Sequence, residues 1–166
     1  MHDEEIFDVV DDNDQVVGQA TRTEVHRQSL KHRSAHILVF KPSGHLYLQR
    51  RAFWKECSPG QWDSSASGHL NSGETYALGA ARELTEELGI RGQHLEPLFK
   101  LAADPATGNE FVAAFKTVTN EDLSPDPHEI IAGRWCTPAE VAAWIQREPG
   151  TFTGTFHLIW SKLNIN

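Results

Sequence analysis

Cysteine is scarce in this 166-residue chain: Cys57 and Cys136 are the only two. Two thiols make no disulfide framework, and the expectation is a pair of reduced cysteines in a cytoplasmic protein. Basic charge is in deficit as well, with 15 Lys and Arg against 23 Asp and Glu and a formal charge of −8. That balance excludes broad, non-specific binding to a nucleic-acid polymer. No stretch approaches the roughly 20 apolar residues of a membrane span. The opening Met1-His2-Asp3-Glu4-Glu5 is acidic and has no apolar run, so it does not read as a signal peptide. Internal repeats, low-complexity tracts and linkers are absent too. Ser124-Pro125-Asp126-Pro127 is a rigid surface loop rather than a domain boundary. What remains is an ordinary soluble composition, 39% hydrophobic and 23% charged. A chain of this mass buries about two thirds of its surface, enough for one core over residues 1–166.

Apolar patterning supplies the elements. Ile6–Val10 and Val16–Ala20 flank Asp11-Asp12-Asn13-Asp14 and read as an N-terminal β-hairpin, whose edge strand is available for pairing in a homodimer. A short helical turn is expected at Thr23–Arg27. Strands are expected at Ala35–Phe40, Leu46–Gln49, Pro97–Leu101, Phe111–Val118 and Ile130–Cys136, with a loop from Ala52 to Ser67. Thr75–Leu88 is rich in Ala, Leu and Glu, lacks Pro, and ends at Gly89, so it predicts a helix. Thr137-Pro138-Ala139-Glu140 is a capping box that opens another, and Phe156–Leu163 predicts a last one. Strands, a helix, more strands and two late helices point to an α/β fold: a mixed sheet with helices on its faces.

The chemistry is concentrated near the middle. At 100° per residue, Glu86 and Glu87 lie about 60° and 40° to either side of Glu83, so three carboxylates share a helix face. Ala77, Ala81, Leu84 and Leu88 form a separate face to pack on the sheet. Like charges so close repel, and enclosure raises the cost and couples their titration. A cation removes the penalty. Oxygen-only ligands suit Mg²⁺ or Mn²⁺, and Mg²⁺ shares its shell with waters and substrate phosphates. On the glutamates alone, a solvated acidic helix face is the better explanation of the pattern.

The longer pattern decides between them. Gly68, Glu74, Arg82, Glu83, Leu84, Glu86, Glu87, Gly89 and Ile90 fit, without departure, Gly-x5-Glu-x7-Arg-Glu-aliphatic-x-Glu-Glu-x-Gly-aliphatic. From ordinary residue usage such a match arises by chance on the order of once in ten million chains. It resembles the Nudix box. The resemblance implies an α/β/α sandwich occupying nearly the whole chain and a divalent metal, Mg²⁺ with Mn²⁺ as substitute. By position, Glu83, Glu86 and Glu87 match the metal-binding glutamates, Gly68 the glycine whose carbonyl often joins them, Arg82 the arginine that orients them, and Glu74 a structural position. The implied reaction is hydrolysis of a diphosphate in a small-molecule substrate by a metal-activated water. The base that takes its proton is Glu83 or Glu110, the latter following the Asp104–Asn109 loop.

A second resemblance is wider. Val9-Val10-Asp11 through Gly18, His26, His32, Arg50-Arg51 and Pro59-Gly60-Gln61-Trp62 are similar to isopentenyl-diphosphate isomerases and their hydrolase-like relatives in the same superfamily. It implies that Arg51 and Lys55 bind the diphosphate. His32 and His69 match metal-ligand positions, His26 falls within a residue of one, and Glu110 matches a proton-relay carboxylate. Simple packing or surface histidines remain the expected role of His32 and His69. The catalytic cysteine of those isomerases is replaced by Ser67, a far weaker acid, and the Arg-Glu-x-x-Glu-Glu core is whole. Hydrolysis is therefore expected over isomerisation, with a non-catalytic nucleotide-sensing domain as a third reading. Arg22, His26, Arg27, Lys31, His32, Arg33 and His36 form a basic segment that either borders the pocket or faces solvent. The five tryptophans are expected mostly in the core, with Trp62, beside the box, the one that could stack a base or ring.

Overall fold

The computed structural model describes residues 4–163. Nine strands and four α-helices follow one another: β1 Ile6–Val10, β2 Val16–Thr21, α1 Arg22–Gln28, β3 His32–Phe40, β4 Leu46–Arg51, β5 Trp62–Asp63, β6 Ala66–His69, α2 Tyr76–Leu88, β7 Glu96–Leu101, β8 Glu110–Val118, β9 Ile130–Cys136, α3 Pro138–Arg147 and α4 Gly154–Lys162. None of the described helices is long and apolar enough to cross a membrane.

β3 is the axis of the molecule. Its residues are nearly all buried because both faces are covered, and its second half, Ile37–Phe40, is continuously apolar. Ala35, Ile37 and Val39 pack with Ala80, Leu84 and Leu88 of α2. Leu38 and Phe40 pack with Val141, Trp144, Phe156 and Ile159 of α3 and α4. Helices thus cover both sides of a mixed sheet, the expected α/β/α sandwich, and β1–β2 form the expected separate hairpin.

β3 runs parallel to β8 from His32↔Glu110 to Phe40↔Val118. On its other side it meets β4 only at Phe40↔Leu46, and then the two strands part. β6 fills one side of the gap, pairing antiparallel with β3 at Ser34↔His69 and His36↔Ser67, and β5 pairs with β4. Ser65 bridges the split: its hydroxyl donates to the Tyr47 carbonyl at 2.5 Å and accepts from Val39 N–H at 2.8 Å. The loop expected over Ala52–Ser67 therefore contains two short strands. Their two-residue and four-residue lengths carry no periodic signal of their own.

One packing expectation, the buried face of α2, is corrected, whereas Trp62 falls in the core as expected of the tryptophans. Ala77 and Ala81 are exposed; the buried stripe of α2 runs through Ala80, Leu84, Glu87 and Leu88. The stripe is rotated toward the glutamates, so Glu87 shares the buried face. Trp62 meets Trp144 edge-on, with ring centroids 5.0 Å apart, and packs against the second core cluster; it does not line the cavity described below.

Candidate active site

The split between β3 and β4 opens a cavity of about 550 Å³. The helix α2, capped by Thr75 and closed by Gly89 in the left-handed region, delivers Glu83, Glu86 and Glu87 to one wall. Gly68 makes the approach possible: a Cβ there would collide with the Glu83 carboxylate. Arg82 organises the group. It donates to Glu74 at 2.7 and 3.0 Å, to Glu83 at 2.8 Å, to Glu86 at 3.2 Å, and to the His69 carbonyl at 2.9 Å. Glu74, also bound by Asn71 N–H, acts as the splint for Arg82. Glu87 accepts from Ser67 N–H at 2.7 Å and from Gln49 at 3.3 Å, so it sits in the sheet split itself.

These carboxylates are electrostatically frustrated. Burial, reinforced by the charge of Glu87, pushes Glu83 up to about 8. Burial pushes Glu87 up to about 7 despite its hydrogen bonds. The reason is desolvation that the nearby Arg82 and Lys55 charges do not offset. A divalent ion at this wall would supply the balance, and an all-oxygen donor set suits Mg²⁺ or Mn²⁺. The residues present therefore fit the expected metal.

A second cluster lies beside the first. Register puts Glu110 next to His32, and His69 across from Ser34, so all three point from one sheet face. Glu110 Oε1 is 2.7 Å from His69 Nε2 and 3.2 Å from His32 Nε2. His26, His32 and His69 offer ligand atoms within 4.8 Å of one another. His32 Nε2 is buried and, despite its nearness to Glu110, makes no aligned hydrogen bond. Burial raises Glu110, but the His69 and His32 imidazoles outweigh it and hold the carboxyl well below its usual range. Phe7 of the hairpin stacks on His69 and His32, with centroids 4.8 and 5.8 Å away. His32 and His69 pack on Phe7, and with His26 they also lie close enough together to share one ligand.

Arg51 and Lys55 both line the cavity. Arg51 lies 3.5 Å from Asp63, and Lys55 is ion-paired with Glu129. Of the basic segment, Arg22 and His36 line the cavity, whereas Lys31 pairs with Asp12 and Arg33 with Asp14 to dock the hairpin. Sequence reasoning did not find Asp63, Glu129 or Ser34. They come from separate elements, and only the strand register brings them to one place.

A carboxylate wall built on a loop–helix unit of an α/β/α sandwich defines a hydrolase of the Nudix class. The NUDIX domain model matches residues 30–153, and the chain belongs to that family. It is 37% identical over 136 residues to an uncharacterized Nudix hydrolase of Pseudomonas aeruginosa, covering 82% of this chain and 80% of the relative. It is also 36% identical over 152 residues to the isopentenyl-diphosphate Delta-isomerase of Nocardia farcinica, covering 88% and 87%. Among solved structures, DR0079 from Deinococcus radiodurans superposes with a TM-score of 0.84 at 27% identity, covering 97% of this chain and all of that one. A C. elegans Ap4A hydrolase shares the fold at a TM-score of 0.55 and 19% identity, covering 79% of this chain and 92% of that one.

Proposed function

We propose that the protein hydrolyses a diphosphate linkage in a nucleoside diphosphate derivative or similar small molecule, with Mg²⁺ as its cofactor and Mn²⁺ as a substitute. The observation that carries this reading is the buried Glu83–Glu87 pair, raised toward neutrality and aimed past Gly68 into the cavity. Glu83, Glu86, Glu87 and the Gly68 carbonyl would hold the cation, and Arg82 fixes the geometry of the glutamates. When bound, such a cation would neutralise the diphosphate and lower the pKa of a water. Arg51 and Lys55 receive the diphosphate oxygens, which requires Lys55 to loosen its pair with Glu129. Glu83 takes the proton of the attacking water: its Oε1 is bound by Arg82, and its Oε2 has no hydrogen-bond partner among the described residues. Glu110 Oε1 is hydrogen-bonded to His69 and lies 3.2 Å from His32 Nε2, which suits it to position that cluster. That imidazole-rich cluster is a second cation position, softer in its donors than the glutamate wall.

The isomerase reading is weaker. Ser67, at the position of the isomerase thiol, uses its backbone N–H to hold Glu87, and its hydroxyl is too weak an acid to protonate a carbon. A panel of nucleoside di- and triphosphates, nucleotide sugars, dinucleotides and isoprenoid diphosphates, with products identified by mass, tests the proposal. Phosphorus–oxygen cleavage that EDTA stops supports it. Proton exchange at the allylic carbon of isopentenyl diphosphate without phosphate release establishes the isomerase instead. Tight nucleotide binding without turnover of any compound establishes a sensing domain.

A further inference from the structure

Polarity changes halfway along one face of β3. Leu38 and Phe40 enter the core, while Ser34 and His36, on the same face, line the cavity. Both are buried, at 2% and 5% exposure. The Ser34 hydroxyl has no hydrogen-bond partner among the described residues. His36 Nδ1 lies 2.9 Å from the Ser64 hydroxyl, and its Nε2 makes no hydrogen bond among the described residues. A buried polar group left unpaired is costly, so such groups are normally matched by a ligand or a water.

The facing wall is polar too. It is the start of the nine-residue helix α4, where the Thr153 hydroxyl caps Phe156 N–H. The Gly154 and Thr155 amides bind nothing among the described residues, and both residues line the cavity. Most telling is the rest of the lining: among the described residues it contains no Val, Leu, Ile, Met, Phe, Tyr or Trp. A hydrocarbon tail would find no large apolar side chain there, and a nucleobase no Phe, Tyr or Trp to stack on.

We infer that Ser34 and His36 form a subsite that reads hydroxyl groups on the portion of the substrate bonded directly to the diphosphate, making that portion a sugar or polyol rather than an isoprenoid. The inference rests on the diphosphate-hydrolase reading and narrows it. A serine hydroxyl both donates and accepts, and an imidazole Nε2 does one or the other according to tautomer, so a sugar hydroxyl satisfies both. An isoprenoid chain would leave both unpaired.

The test is calorimetric binding, in Mg²⁺, of two methylene-diphosphonates that cannot be cleaved: one carrying ribose, one carrying an isopentenyl group. Wild type, Ser34→Ala, His36→Leu and His36→Gln are compared, with melting curves to confirm folding. The wild type is expected to favour the ribose ligand by tenfold or more. Ser34→Ala and His36→Leu should each reduce its affinity about tenfold without weakening the isopentenyl ligand, and His36→Gln, which keeps a donor, should recover part of the loss. Equal affinity for the two ligands, no measurable binding of either, or a preference untouched by Ser34→Ala and His36→Leu overturns the inference. Turnover of the corresponding diphosphates is measured in parallel. Preserved ribose preference with no cleavage of any diphosphate would sink the hydrolase reading and leave the subsite standing.

Discussion

Gly68 and Glu83 show how one missing side chain creates a site. The absent Cβ is the space the Glu83 carboxylate occupies. Gly68→Ala should therefore displace Glu83 and lower kcat about 100-fold or more, with little change in the melting temperature; steady-state kinetics beside a thermal melt checks this. Glu83→Gln should lower kcat by about 10²–10⁴. In EDTA at pH 8 the same substitution should raise the melting temperature, because it removes a buried charge that the metal-free protein must tolerate. A fall on both counts would mean that Glu83 is structural. These residues were legible in the sequence because the box is contiguous: spacing alone puts the glutamates together. Asp63 was not, since its partners Arg51 and Thr153 lie 12 and 90 residues away and nothing local announces them.

The elements read well where local chemistry decides them. Strand Ile130–Cys136 and the capping box at Thr137 appear where the sequence puts them. Strands β5 and β6 were hidden because pairing across the β3–β4 split, not propensity, makes them strands. The helix face of α2 was misplaced because Glu87 looks polar yet is buried, held by Ser67 and Gln49 from other strands. The N-terminal hairpin is held by an element-scale latch. Asp14, 6% exposed and with φ of 60°, accepts from Arg33 at 2.7 Å, Lys100 at 2.6 Å and Tyr76 at 2.7 Å. Asp14→Asn keeps the shape and the tolerance of that backbone but removes the charge. It should cost about 2–3 kcal/mol and lower the melting temperature by about 5 °C or more. Because Phe7 of that hairpin stacks on His69 and His32, the variant should also weaken Mn²⁺ binding at the histidine cluster, measured by calorimetry.

At the scale of the molecule, the raised carboxylates link stability to pH. Glu83 near 8 and Glu87 near 7 lie above the ordinary glutamate value of 4.5, so the folded chain holds protons that the unfolded chain has released. Metal-free stability should therefore fall as pH rises from about 5 to 8. Glu110 acts in the opposite sense: its pKa is held low, so its contribution is present above about 4.5 and lost as pH falls below that. Mg²⁺ should flatten the high-pH decline, seen as a melting-temperature gain larger at pH 8 than at pH 6. The decisive measurement is Mg²⁺ titration calorimetry at pH 7 in buffers of different ionisation enthalpy. Binding should release roughly one proton per ion in the wild type and markedly less in Glu83→Gln and Glu87→Gln. Absence of Mg²⁺ or Mn²⁺ uptake, with or without a diphosphate present, or uptake unchanged in both variants, would contradict the account.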